Sequence, residues 1–137
     1  MARSRSLRST PAPEPVTVDA VDLLVNKLNT IGGISFVRDA WENKAPENYG
    51  VVEMAAQSSA LWADNKMQEQ VFQLSVHLYA KGGSNAWITA IQEKLAEACD
   101  WYNFPQHEFL YDINKNHWTW NCYMIGPLQW EETPGVS

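Results

Sequence analysis

The sequence predicts an α+β fold, a two-layer sandwich with two helices on one face of a mostly antiparallel five-stranded sheet. Three observations carry this expectation. Residues 68–80 alternate: Phe72, Leu74, Val76 and Leu78 are interleaved with Val71, Gln73, Ser75, His77 and Tyr79. A period of two over this length marks a long strand with one buried face. Two further segments, one starting near Asp19 and one spanning about 85–103, repeat apolar residues at helical spacing. The remaining apolar segments are short and separated by turn-forming residues, giving the order α-β-β-β-α-β-β.

Taken in order, residues 1–16 (MARSRSLRSTPAPEPV) mix arginine, serine and proline and are expected to form a flexible arm. Residues 17–126 make the domain, and 127–137 a C-terminal tail. Thr17 or Asp19 caps the first helix, with Val21, Leu24, Val25, Leu28 and Ile31 on one stripe and Gly32-Gly33 ending it. Residues 34–40 form a short strand with Ile34 and Phe36 on one face. A polar loop broken by Pro46 follows, then a strand over 49–57 with Val52 and Met54 facing inward.

Residues 58–66 are expected as an exposed hairpin loop, and they contain Leu61 and Trp62. After the long strand, Lys81-Gly82-Gly83 turns the chain and Ser84 caps the second helix. Its stripe is Ile88, Ile91, Leu95, Ala98, Cys99 and Tyr102, and Pro105 closes it. Residues 108–113 and 117–125 form a hairpin around Asn114-Lys115-Asn116. Trp118, Trp120, Cys122 and Met124 share one face of its second strand; His117, Thr119, Asn121 and Tyr123 share the other. Gly126-Pro127 ends the sheet and leaves Leu128 and Trp130 in the tail.

At 137 residues the chain is expected to be one domain with a single core, and 45% hydrophobic against 19% charged residues suits a folded, water-facing protein. Seven tryptophans are many; the core accounts for most, and some are expected to face partners. Arg3, Arg5 and Arg8 against Glu14 give the first 16 residues +2, so the other 121 carry −8 of the net −6. An acidic body argues against sequence-independent nucleic-acid binding, which needs lysine and arginine to displace counterions. No apolar run reaches the length of a membrane span, and no apolar stretch follows the N-terminal arginines as in a secretory signal. Two cysteines make no disulfide framework, which fits synthesis in a reducing cytoplasm.

Few residues are arranged for chemistry. His77, His107 and His117 lack close metal-ligand spacing; His77 and His117 meet only if the third and fifth strands are neighbours. Surface or interface histidines are the preferred reading, and no metal site is expected. Cys99 and Cys122 fall on apolar faces, as inert buried thiols do. Asp19 with Asp22, and Glu93 with Glu97, sit on exposed helix faces. Neither a phosphate-binding glycine loop nor a nucleophile elbow is present. Tyr79 and Tyr123 offer a stacking platform for single-stranded nucleic acid, but the acidic body opposes it. The expectation is a protein without catalytic residues or cofactors.

What the pattern does offer is surface. The outward residues of the long strand carry no full charge, whereas a face meant only for water would hold lysine or glutamate. The expected interface residues are Leu61, Trp62, Gln73, Ser75, His77, Tyr79, Thr119 and Tyr123. The rival is a ligand-binding or enzymatic α+β domain, which requires polar or ionisable residues inside the sandwich.

Pro46-Glu47-Asn48-Tyr49-Gly50-Val51-Val52, the run Gln70-Val71-Phe72-Gln73-Leu74-Ser75-Val76-His77-Leu78-Tyr79, and the helix from Ser84 to Tyr102 together carry a resemblance. In this layout, over residues 17–126, the chain resembles the tail terminator (tail completion, or minor capsid) proteins of long-tailed bacteriophages and prophages. The resemblance implies a homo-oligomeric ring, usually a hexamer, at the head-proximal end of the tail tube. Such a ring stops tube polymerisation and presents the surface on which the head docks. It implies contacts with itself, with the tube protein and with head–tail connector proteins, and a lumen through which DNA passes without specific binding. It places the protein in the virion, assembled in the host bacterial cytoplasm, with no membrane role. Another neck or head–tail connector component is the neighbouring alternative.

Overall fold

The computed structural model describes residues 16–63, 66–82 and 85–132. Its elements are β1 (Val16–Val18), α1 (Ala20–Leu28), β2 (Phe36–Arg38), β3 (Tyr49–Ala63), β4 (Lys66–Ala80), α2 (Asn85–Ala98), β5 (Trp101–Tyr102), β6 (Gln106–Leu110), β7 (Lys115–Gly126) and β8 (Trp130–Glu132). The fold is an α+β sandwich. Its main sheet runs β2-β3-β4-β7-β5, with β6 also on β7, and a separate pair joins β1 to β8. Among the described strands only β2 and β3 run parallel. The described residues thus hold eight strands rather than the expected five.

The core lies between the helices and the inner face of the sheet. Phe72, Leu74, Val76 and Leu78 of β4 meet Trp120, Cys122 and Met124 of β7, as the alternation predicts. Against them pack Ala20, Val21, Leu24 and Leu28 of α1 and Ile91 and Leu95 of α2. Trp120 is wholly buried, and its indole N–H donates to Gln92 Oε1 at 3.4 Å.

Local chemistry explains the helix ends. Asp19 caps α1 by accepting the Asp22 N–H at 2.9 Å, and Arg38 of β2 reaches across to Asp19 (2.7 Å) and Asp22 (3.2 Å). Burial pushes the Asp19 carboxyl up, but the Asp22 N–H and Arg38 outweigh it and hold the group below its ordinary value. The helix stops at Leu28, earlier than Gly32-Gly33. Asn29 at the C-cap accepts the Phe36 N–H at 2.7 Å and donates to the Phe36 carbonyl at 3.0 Å, which binds the chain to β2 instead of another helical turn. Gly33, at φ +84°, then redirects the chain.

α2 ends at Ala98, not near residue 103, because β7 takes the following backbone. Asp100 N–H donates to the Tyr123 carbonyl at 2.8 Å, Asn103 N–H to the Asn121 carbonyl at 3.0 Å, and Trp101–Tyr102 pair with β7 as β5. The β6–β7 turn occupies 111–114 rather than 114–116: Leu110 faces Lys115, and Asn114 adopts φ +56°, which asparagine tolerates. Trp130–Glu132, expected in the tail, form β8 on β1, and Trp130 lies 5.6 Å from the Phe72 ring.

The largest departure is the segment read as a hairpin loop. Residues 58–63 pair with 66–71, so the backbone of Leu61 and Trp62 belongs to a ladder of two 15-residue strands. Register shifts fall at Ala55 and near residues 60–62. The third strand of the sheet reaches β4 only from Gln70 onward, and β2 meets β3 only at Gly50, Val51 and Val52. Among the described residues, the distal part of β3–β4 is therefore a two-stranded ribbon, and the outer edge of β3 beyond Val52 has no strand beside it. Residues 1–15, 64–65, 83–84 and 133–137 lie outside the description, and with them the expected arm, part of the turn at 81–83, the Ser84 cap and the end of the tail.

Candidate functional site

The outer face of β4 and β7 carries the polar residues of the alternation, and register places them in pairs. Gln73 faces Tyr123, Ser75 faces Asn121, His77 faces Thr119, and Tyr79 faces His117. The pairs bond: Gln73 Nε2 donates to the Tyr123 hydroxyl at 3.0 Å and Ser75 Oγ to Asn121 Oδ1 at 3.2 Å. Six of the eight residues expected at an interface thus share one surface. Leu61 and Trp62 sit at the distal end of the β3–β4 ribbon, and their side chains lie outside the description.

This face is neither fully wet nor uncharged. Ser75 is buried, and the side chains of His77 and His117 are only 15% and 12% exposed. Neighbouring strands bring two carboxylates: Glu53 of β3 and Glu108 of β6. Alternation signalled the first, since Val52 and Met54 pointing inward sends Glu53 outward. Glu108 comes from the β6 register, which puts it opposite His117. Trp101 of β5, half-exposed, stacks on Tyr123 with ring centres 5.0 Å apart.

At the centre is a row of four ionisable groups. Glu53 Oε1 lies 3.1 Å from His77 Nε2, His77 Nδ1 lies 2.8 Å from His117 Nε2, and His117 Nδ1 lies 3.3 Å from Glu108 Oε2. The two imidazoles are within 13° of parallel with centres 5.1 Å apart, so a 2.8 Å nitrogen contact means they lie side by side in nearly one plane. The Thr119 hydroxyl sits 3.1 Å from His117 Nε2 and 3.5 Å from His77 Nδ1. Burial pulls the His117 pKa below the ordinary histidine value; Glu108 opposes the shift and nearby His77 adds to it.

One side of the row is closed by aromatics. Tyr79 stacks on His117 (4.5 Å, 4°), Tyr49 stacks on Tyr79 (4.9 Å, 20°), and Lys115 Nζ lies 4.8 Å from the Tyr49 ring centre. Burial raises the pKa of both tyrosines, so they remain neutral phenols. Beside these rings a concavity of about 390 Å³ opens between residues 39–45 and the sheet, lined in part by Trp41, Tyr49, Glu53, His77 and Tyr79.

His107 stays apart, bonded to Asn116 Oδ1 at 2.8 Å with its ring near Trp118. Cys99 and Cys122 are free thiols; the hydrogen bond with Cys122, and then burial, push the Cys99 thiol up, away from the reactive thiolate. Among the described residues no group of three or more His, Cys, Asp or Glu converges as a metal cage, and no helix is long and apolar enough to cross a membrane. No protein-family model matches the chain, and no curated protein sequence matches it.

Proposed function

We propose that this chain is an assembly subunit, a tail terminator that closes into a homo-oligomeric ring, ends tube polymerisation and presents the head-docking surface. The ring carries no catalysis and passes DNA through its lumen without specific contacts. In this reading it acts in the virion, against the tube protein and the head–tail connectors. A neighbouring neck component would use the same surfaces.

The observation that supports it most is the outer edge of β3. A strand edge offers a row of N–H and C=O groups to another chain, and proteins that stay alone blunt it with lysine, proline or cover. Residues 54–63 (MAAQSSALWA) contain neither a charge nor a proline. The register shifts bend this edge without burying it, and Ala55, Ala56, Gln57 and Ser58 are exposed. A lone two-stranded ribbon is marginal in water, so the distal β3–β4 segment gains most from a neighbour. Heterologous contacts between such an edge and a different surface of the next copy close rings. The interior weighs against the pocket rival: among the described residues the buried polar side chains are Gln70 and Ser75, and no charged side chain is buried.

Native mass spectrometry across a wide concentration range tests the reading, alongside Ala56→Lys and Ser58→Lys. The expected result is one closed ring size, a hexamer in the first instance, which the lysine variants reduce to monomers while keeping their fold. A chain that stays monomeric and also fails to bind tail-tube ends would overturn the proposal.

A further inference from the structure

The concavity beside β3 has walls of one character. Trp41, Tyr49 and Tyr79 supply aromatic rings, Asp39 and Glu53 supply carboxylates, and among the described residues no lysine or arginine lines it. Rings beside carboxylates suit a planar cation. Arginine meets both demands, because its guanidinium stacks on rings and forks onto a carboxylate. Lys115 already shows the attraction from outside the recess, with Nζ 4.8 Å from the Tyr49 ring centre. The indole N–H of Trp41 adds a second need. It is buried and has no hydrogen-bond partner among the described residues, a costly state for a donor. A peptide laid along this wall brings carbonyl acceptors, which a free cation lacks.

The chain carries such a peptide. Arg3, Arg5 and Arg8 against Glu14 give residues 1–16 a charge of +2, facing −8 on the rest. Position favours the same match. The described chain begins at Val16, three residues before Asp19. Asp19 binds Arg38 at 2.7 Å, and the next residue, Asp39, lines the concavity. Arg8 lies eight residues before Val16, with Pro11, Pro13 and Pro15 between them. Proline-rich spacers reach about 3.1 Å per residue, so this stretch spans about 25 Å before the arginine side chain is added. A short tether also holds its end at an effective concentration in the millimolar range, so weak contacts suffice.

We propose that the N-terminal arm folds back over its own domain and places the Arg8 guanidinium in this concavity, against Glu53 and Trp41. The arm then covers the Trp41–Glu53 end of the outer face and leaves the Gln73–Tyr123 end for other partners. The inference does not depend on ring assembly.

NMR of the full-length chain is the test, set against Arg8→Ser, a change that leaves every core residue in place. The Trp41 indole signal and the amides of residues 39–45 and Glu53 are expected to move in the variant. Those of α2, on the other face of the sheet, should stay. At about 1 M salt, where the Debye length is about 3 Å, the signals of the unmodified chain should approach those of the variant. Nuclear Overhauser contacts should join the Arg8 side chain to the Trp41 ring, and Glu53→Gln should remove them. Mixing isotope-labelled with unlabelled chains decides whose arm is bound, and contacts within one chain are expected. Coincident spectra for the unmodified chain and Arg8→Ser would overturn the proposal and leave the concavity to another ligand. So would Arg8 contacts found only between chains, which would make the occupant a second copy.

Discussion

On β4, Phe72, Leu74, Val76 and Leu78 are at most 2% exposed, whereas Gln73, His77 and Tyr79 on the same backbone keep part of their surface in water. The first set meets Trp120 and Met124 through non-directional apolar contact. The second meets Thr119, His117 and Tyr123 through hydrogen bonds and ring stacking, where geometry decides everything. One face therefore supplies stability and the other supplies a specific arrangement. Burial of apolar area is worth roughly 25 cal/mol per Å², while a typical hydrogen bond nets only about 1 kcal/mol. The two faces should respond very differently to substitution.

The sharpest contrast is Trp120→Ala on the inner face, expected to cost about 3–5 kcal/mol in denaturant unfolding because the cavity cannot fully collapse. A loss no larger than that of an outer-face variant would break the comparison. Next is Gly50→Ala at the sheet's β2–β3 junction, where an added Cβ would sit 2.1 Å from Phe36 Cδ2. Relieving that overlap should cost about 1–3 kcal/mol, visible as a lower melting temperature. On the outer face, Tyr123→Phe removes the acceptor for Gln73 and should cost about 1 kcal/mol, with the fold unchanged by circular dichroism.

The smallest effect is pH dependence. With its folded pKa depressed, His117 binds its proton more readily in the unfolded chain. Its contribution is therefore intact above the ordinary histidine value of 6.5 and is lost as pH falls below it. Asp19, also depressed, acts in a separate window, with stability lost as pH falls below 3.8. Unfolding free energies measured across pH should show two declines, with the upper one absent in His117→Gln.

Alternation made the two faces legible, because residues that alternate along a strand must separate when one side is buried. It gave the inner quartet of β4, the inner face of β7 with Trp118, Trp120, Cys122 and Met124, and the polar residues on the other face of each strand. What remained hidden was whatever depended on register between strands. Glu108 meets His117 only because β6 begins at Gln106 and turns at 111–114. The two histidines touch only because β4 and β7 are neighbours aligned Tyr79 to His117. Residues 101–102 continued the helical stripe of α2 yet joined β7, since a sheet edge offered their backbone better partners than another turn. The 58–66 segment looked like a loop because its serines and alanines lack strong strand preference; the partner ladder overrode composition.

The pairing of Val16–Val18 with Trp130–Glu132 sets an order of events in folding. It joins positions separated by almost the whole described chain, so closing it is entropically expensive until the sheet between has formed. The β3–β4 hairpin, built from neighbours in sequence, should protect its inner amides early, and the β1–β8 clasp last. In equilibrium hydrogen exchange the same clasp should open first, lifting Trp130 from Phe72 while the central strands stay closed.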